Sequence, residues 1–345
     1  MRILIDILHP AHVHFFRNFH DEMAGRGHEL CITARDKDRS VDLLREYGLP
    51  YQQISAQQQG GGLAVEMVRR TGRLLGVMRT FRPDVLTGIM GPSIAVAGRI
   101  RRVPAVVFYD TEFAVQTNRF VYPLAHSVCT PDCYQGRVRG RHVPYAGYHE
   151  LAYLHPNRFR PDPDRLAAFG VSPDEPYAVV RFVSWQAVHD RRERGLTGAQ
   201  KRNLIEVLRA RGWRVLISSE APLPPDLAEF QLAGPVEQIH HLLAYAQLIV
   251  GESATMSSEA AVLGVPAVFI ATTGRGYTDD EEKRYGLVRH FTEDQYEQAV
   301  AAIEKLCSDS PRELGQVARE RLLAEKIDVT GWMVDYFEST FSRAR

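Results

Sequence analysis

The sequence predicts an α/β fold made of two doubly wound parallel sheets. Three observations carry that expectation. Short β-rich runs alternate with longer helical periods along most of the 345 residues. That is the pattern of βαβ units whose helices cover both faces of a parallel sheet. The alternation breaks once, over His155–Pro176, where prolines stand at 156, 161, 163, 173 and 176. At roughly 150 residues per domain, the length leaves room for about two domains.

The first series opens with Ile3–Leu8, a short apolar run that reads as a buried strand. His14–Arg26 has helical spacing in Phe15, Phe16, Phe19 and Met23, and Gly27 ends it. Glu29–Ala34 is the next strand, Val41–Tyr47 a helix closed by Gly48, and Tyr51–Ser55 a third strand. Gln57–Gly62 is a loop, and Leu63–Phe81 is a long helix stopped by Pro83. Strands are expected at Val85–Ile89, Ala105–Tyr109, Ser127–Thr130 and His142–Tyr145. The proline-rich stretch reads as a linker with a short helix at Arg165–Phe169. The second series has strands at Tyr177–Phe182, Arg214–Ser218, Gln231–Leu232, Leu248–Val250 and Ala267–Ile270. Its helices are Gly198–Arg211, Val236–Ala246, Thr255–Leu263 and Asp294–Leu306, with one or two more after Pro311. The expected domains are residues 1–160 and 177–325, with a final helical segment, 326–345, packing back on the first. In doubly wound sheets ligands lie beyond the carboxyl ends of the strands, so the two domains are expected to face each other across a cleft.

Composition narrows the function. Lys+Arg and Asp+Glu both number 42, which excludes a bulk basic protein built for nucleic acid. Cys31, Cys129, Cys133 and Cys307 are too few for a disulfide scaffold and lack zinc-site spacing, so no metal is expected. No cleavable leader and no membrane span is read from the sequence, which makes a cytoplasmic protein the expectation.

The sharpest segment is LIVGESATMSSEAAVLGVPAVFIATTGRG, Leu248–Gly276. A buried strand runs into Gly251, Glu252 and Ser253, and a helix follows from about Ala254 with Ser253 as N-cap. The small residues let a ligand approach the backbone, and the free amides near Ala254 and Thr255 suit a phosphate. Glu259, about one and a half turns in, is placed to accept from ribose hydroxyls. The plain alternative is an ordinary strand–turn–helix with a surface glutamate.

This segment resembles the nucleotide-sugar signature of GT-B proteins. In the non-hydrolysing UDP-N-acetylglucosamine 2-epimerases the pattern is S-G-G-x-x-E-E-A-x-x-L-G-x-P. Ser253, Glu259, Ala260, Leu263, Gly264 and Pro266 match it, while Ala254, Thr255 and Ser258 depart from it. The resemblance implies that Glu259 holds the ribose of the nucleotide. A T-T-x-R after the next strand is matched by Thr272, Thr273 and Arg275. The opening segment resembles GT-B glycosyltransferases too, with Pro10 and His12 at the P-x-x-G-H loop and Arg26-Gly27-His28 before the second strand. Ala11 stands where a glycine is usual. Val103–Phe120 resembles an epimerase stretch, with Glu112 matching a glutamate, Asp110 replacing a histidine, and Asn118-Arg119 matching N-R. The whole chain is similar to a prokaryotic family of GT-B-like proteins defined as a domain of unknown function.

The resemblance implies a choice between two chemistries. Epimerisation needs several carboxylates around the sugar. Gly88–Ser93 carries no acid where one is usual, and Gln116 replaces another. Inverting glycosyl transfer needs one base and stabilisation of a departing diphosphate. The resemblance makes His12 that base, with Asp110 to orient it and Glu112 as a further catalytic candidate. His9 and His14 compete with His12, and Asp110 and Glu112 are equally able to bind acceptor. Arg181 and Ser184, leaving the first strand of the second half, are expected phosphate ligands; the alternative for Arg181 is a pair with a nearby acid. Thr278–Glu282 lacks the D-x-D spacing of metal-dependent transferases.

Leu63–Arg82 carries Arg69, Arg70, Arg73, Arg79 and Arg82 against one acid, Glu66, with apolar side chains beside them. That mixture suits an anionic membrane surface, so a peripheral contact with the inner face of the membrane is expected. A core-packed helix with a solvated basic face is the alternative. The expected function is metal-independent glycosyl transfer without a cofactor. A nucleotide-sugar donor, a UDP-sugar first, would occupy the C-terminal half and an acceptor the N-terminal half. An epimerase-like enzyme and a non-catalytic nucleotide-sugar-binding scaffold are the alternatives.

Overall fold

The computed structural model describes residues 1–37, 39–56, 63–183, 195–308 and 311–342. The expected loop Gln57–Gly62 lies outside them. The chain divides into two compact units, Met1–Arg158 with Ile327–Arg345, and Phe159–Lys326.

The first unit begins with β1 (Arg2–Ile7), α1 (Pro10–Gly25), β2 (Glu29–Asp36), α2 (Ser40–Glu46), β3 (Tyr51–Ala56) and α3 (Leu63–Phe81). It continues with β4 (Val85–Ile89), α4 (Pro92–Arg101), β5 (Ala105–Phe108), α5 (Val115–Val121), β6 (Ser127–Pro131), β7 (His142–Tyr145) and α6 (Leu151–Leu154). The strands form one sheet in the order β3-β2-β1-β4-β5-β6-β7, every neighbouring pair parallel. The chain winds outward from β1 to β3, then crosses to β4 and winds the other way. The reversal lies between β1 and β4, where open α/β sheets bind their ligands. One face packs Leu4, Leu86 and Val107 against Leu74 and Met78 of α3 and Ile94 of α4. On α1, Phe15 meets Phe108 edge-on with ring centroids 5.0 Å apart.

The second unit comprises β8 (Tyr177–Phe182), α7 (Gly198–Arg209), β9 (Arg214–Ser219), α8 (Ile239–Tyr245), β10 (Leu248–Gly251) and α9 (Ala254–Val262). It ends with β11 (Ala267–Ile270), α10 (Gly276–Asp280), β12 (Val288–Phe291), α11 (Tyr296–Ser308) and α12 (Pro311–Glu325). Its parallel sheet runs β12-β11-β10-β8-β9, so the reversal falls between β8 and β10. Val180, Ile217, Val250 and Val268 build the core with Leu204, Leu208 and Ile303 from the helices. The last helix, α13 (Val329–Phe341), belongs to the first unit. Its N-cap Asp328 accepts from the Gly331 amide at 3.1 Å and from Arg158 Nε at 2.8 Å. Phe337 is fully buried, 4.9 Å from the Phe19 ring.

Three differences from the sequence expectation matter. Helix α1 starts at Pro10, four residues early, because His9 is extended and its Nδ1 accepts from the Ala11 amide at 3.2 Å. Proline in the first helical turn needs no amide partner and brings a preset φ, so the helix begins there. His12 therefore sits in the first turn of a helix rather than in a loop. Gln231–Leu232 is not a strand: Gln231 makes an isolated bridge to Ile217, and a 3-10 turn precedes it. The basic helix α3 is not uniformly solvated. Arg70 is buried and donates to Asp6 Oδ1 and to the Ser55 hydroxyl, and Arg73 donates to the Ile54 carbonyl at 2.7 Å. Arg69, Arg79, Arg82, Val65 and Val68 are exposed. Among the described residues no helix is long and apolar enough to cross a membrane.

Candidate functional site

In the first unit, several titratable groups gather beyond the carboxyl ends of the strands. His12 follows β1, and Asp110 follows β5. His12 is buried, and its Nδ1 accepts from the Leu8 amide at 3.3 Å. With Nδ1 so occupied, the neutral ring carries its proton on Nε2. Burial first, then the nearby His9, drives the imidazole well below its ordinary range; Asp110 pulls it the other way without offsetting them. The ring thus stays neutral near pH 7.

Asp110 does not hydrogen-bond His12. Its Oδ2 lies 3.0 Å from Nδ1 of His149, and its Oδ1 accepts from the Thr111 hydroxyl at 2.9 Å. Burial works against the charge, but His149 and these hydrogen bonds outweigh it and hold the carboxyl down at about 2. His149 stands in the turn before α6, its ring 4.5 Å from Phe15 and stacked parallel to Tyr145. Glu112 accepts from the Gln135 amide at 3.2 Å through Oε1, and Asn118 donates to the Glu112 carbonyl at 3.4 Å. The competitors of His12 are both occupied: His9 caps α1, and His14 stacks on Tyr153 and meets the Tyr47 hydroxyl at 3.3 Å. The backbone after β4 is strained, with Met90 at φ 59°. Its carbonyl accepts from the Tyr109 hydroxyl at 2.8 Å.

In the second unit the expected strand–turn–helix is present. Gly251, at φ 150°, ends β10, and a Cβ there would stand 2.1 Å from the Arg181 carbonyl oxygen. Only glycine permits that approach of the two strands at their reversal. Ser253 caps α9, its hydroxyl accepting from the Met256 amide at 3.2 Å. The first-turn amides of α9, Ala254 and Thr255 included, have no partner within the helix. Glu259 is buried, and its Oε1 lies 2.9 Å from Nε2 of the buried His240. Glu252 has a different setting. Its two oxygens accept from the Val183 amide at 2.9 Å and the Leu196 amide at 2.6 Å, and Lys201 stands 3.7 Å away. Glu252 thus ties together the chain on either side of residues 184–194.

Arg181 donates to the Ser218 hydroxyl at 2.8 Å and to Glu220 at 2.7 Å, the acid-paired alternative foreseen for it. Ser184 lies outside the described residues. Thr272 donates to Glu293 at 2.8 Å, and Arg275 folds back on the Thr273 hydroxyl at 2.9 Å. Among the described residues no three His, Cys, Asp or Glu side chains gather closely enough to hold a metal ion.

Comparisons with known proteins bear on both units. A family model described as a protein of unknown function (DUF354) matches residues 1–138. A Moorella thermoacetica relative, a UDP-N-acetylglucosamine–N-acetylmuramyl-(pentapeptide) pyrophosphoryl-undecaprenol N-acetylglucosamine transferase, is 24% identical over 273 residues, 71% of each chain. The structure is similar to UDP-GlcNAc 2-epimerase from Neisseria meningitidis bound to UDP-GlcNAc, with TM-score 0.68, 12% identity, and 97% and 99% of the two chains covered. It is also similar to MurG of Acinetobacter baumannii, with TM-score 0.61, 16% identity, and 99% and 100% covered.

The fold is GT-B. Within that GT-B frame, two residues of the candidate site have no counterpart in the sequence expectation, His149 and His240. Each is the partner of a predicted carboxylate, 39 residues beyond Asp110 and 19 before Glu259. A histidine in a short turn or in the first turn of a helix carries no local mark of a distant acid, so no signal in one sequence could have found either.

Proposed function

We propose that the protein is a metal-independent glycosyltransferase. It moves a sugar from a UDP-sugar held by the second unit to a hydroxyl acceptor bound by the first. The observation that carries this reading is the Ser253-capped start of α9 at the β8/β10 reversal, with Glu259 buried behind it. The free amides of the first turn bind the diphosphate and stabilise the charge that develops on it as the glycosidic bond breaks. Glu259, steadied by His240, accepts from the ribose hydroxyls. The GT-B fold, and the UDP-GlcNAc bound in a structure of similar fold, support the same reading. So does the transferase activity named for the 24%-identical relative.

An epimerase of the same fold would also bind a UDP-sugar, and the products separate the two. Incubated with UDP-GlcNAc alone and followed by proton NMR, a transferase leaves the sugar's C2 configuration intact. Conversion to the C2 epimer without an added acceptor would defeat the transferase reading and establish the other. The acceptor is membrane-proximal in this proposal, because the exposed face of α3 sets Val65 and Val68 beside Arg69, Arg73 and Arg79.

A further inference from the structure

We propose that His149 is the proton acceptor of the first-unit site, oriented by Asp110, and that His12 works beside it as a hydrogen-bond donor. The proposal rests on the transfer reading above and assigns its acid–base step. Three observations lead to it. The Leu8 amide occupies Nδ1 of His12, so the neutral ring presents N–H at Nε2 and has no lone pair to offer there. Asp110, the carboxylate whose charge acts on His12, is committed to Nδ1 of His149 at 3.0 Å. That hydrogen bond places the His149 proton on Nδ1 and leaves Nε2 with a lone pair. Nε2 of His149 is buried and has no hydrogen-bond partner among the described residues. A buried ring nitrogen without a partner is an exception that calls for a cause. An acceptor hydroxyl donating to it supplies one.

The chemistry balances with these groups alone. The acceptor oxygen attacks the anomeric carbon and forms the new C–O bond. Its proton passes to Nε2 of His149. The bond from the anomeric carbon to the diphosphate oxygen breaks, and its electron pair leaves with UDP. Asp110 is a positioning residue: it fixes the His149 tautomer and stabilises the imidazolium that forms. The Thr111 hydroxyl holds the other carboxylate oxygen, at 2.9 Å, so the carboxylate does not turn away. His12, kept neutral by burial, His9, His149 and Arg70, donates from Nε2 to an acceptor oxygen.

Two measurements on the full-length protein test the assignment. Nitrogen-15 NMR of the imidazoles at pH 7, assigned with His12→Gln and His149→Gln, reads the tautomers directly. His12 is expected to carry its proton on Nε2 and His149 on Nδ1. A His12 ring with its proton on Nδ1 overturns the proposal. The second measurement is UDP release from UDP-GlcNAc with water as acceptor. His149→Gln keeps an amide donor toward Asp110 but has no proton-accepting nitrogen. His149→Gln is therefore expected to lose about 10²–10⁴ in rate with donor affinity retained. Asp110→Asn should lower kcat with KM unchanged, because an amide donating to Nδ1 forces the wrong tautomer. His12→Gln, which keeps a donor, should lose less. Full turnover in His149→Gln with loss in His12→Gln overturns the assignment and leaves glycosyl transfer standing. A wild-type protein that binds no UDP-sugar fails the transfer reading instead, and the tautomers still decide the roles of the two rings.

Discussion

Two buried glutamates of the second unit show how environment sets the role of a carboxyl group. Glu252 accepts from two backbone amides, with Lys201 beyond. Glu281 accepts one short hydrogen bond, 2.5 Å from the Ser258 hydroxyl, and its Oε2 has no partner among the described residues. Burial dominates at Glu281 and pushes its carboxyl up to about 8; Ser258 and Lys326 oppose this without reversing it. The sign of the consequence follows from linkage. Between the ordinary glutamate range, near about 4.3, and about 8, the folded chain keeps a proton that the unfolded chain has lost. The contribution of this group to stability is complete below that window and is lost as pH rises through it. Thermal unfolding from pH 5 to pH 8.5 should show a midpoint that declines in the wild type and declines less in Glu281→Gln, by a difference of a few degrees. Parallel curves would mean that Glu281 is ionised throughout. No local rule marks Glu281 as the acid of Thr278–Glu282 that turns inward.

At the scale of elements, the sequence located most strands, though it missed β12 and placed a false one at Gln231–Leu232, because parallel sheets buried on both faces need short, nearly continuous apolar runs. β1, β8 and β10 are such runs, and each sits within a residue or so of its expected ends. The start of α9 and its Ser253 cap were legible for a different reason: capping is local chemistry. Helix α3 was legible as a helix but not in its facing. Its arginines look alike in sequence, yet Asp6 on β1 draws Arg70 into the interior while Arg69 and Arg79 stay outside. The pairing depends on a residue 64 positions away, beyond the reach of any periodicity. The proposed membrane contact therefore rests on the outer face alone. Replacing Arg69, Arg73 and Arg79 with Gln should abolish sedimentation with anionic vesicles and leave UDP-sugar affinity unchanged. The wild type should bind anionic but not neutral vesicles, with loss at high salt. Equal behaviour toward both vesicles would make α3 a structural helix and the acceptor a soluble one.

For the molecule as a whole, the chain builds two parallel sheets, each with a strand-order reversal, and returns through α13 to the unit in which it began. The reversal in each sheet was implied by the βα alternation; the strand order itself was not, since it is decided by which edges pair after the chain has collapsed. The proposed donor half of the site was the more legible half. Ser253 and Glu259 lie on one continuous strand–turn–helix, so spacing alone brings them together. The first-unit half was less so, because His12, Asp110 and His149 come from three separate stretches of chain that only the seven-stranded sheet unites. The central claim is that the second unit binds a nucleotide sugar through the start of α9 and Glu259. Calorimetric titration of UDP-GlcNAc into the wild type and into Glu259→Ala tests it most directly. The account predicts saturable binding to the wild type, and a loss of about 1–3 kcal/mol in the variant, the scale of a charge-assisted hydrogen bond, with its unfolding still cooperative. Equal affinity in the two proteins, or no heat of binding in either, would contradict it.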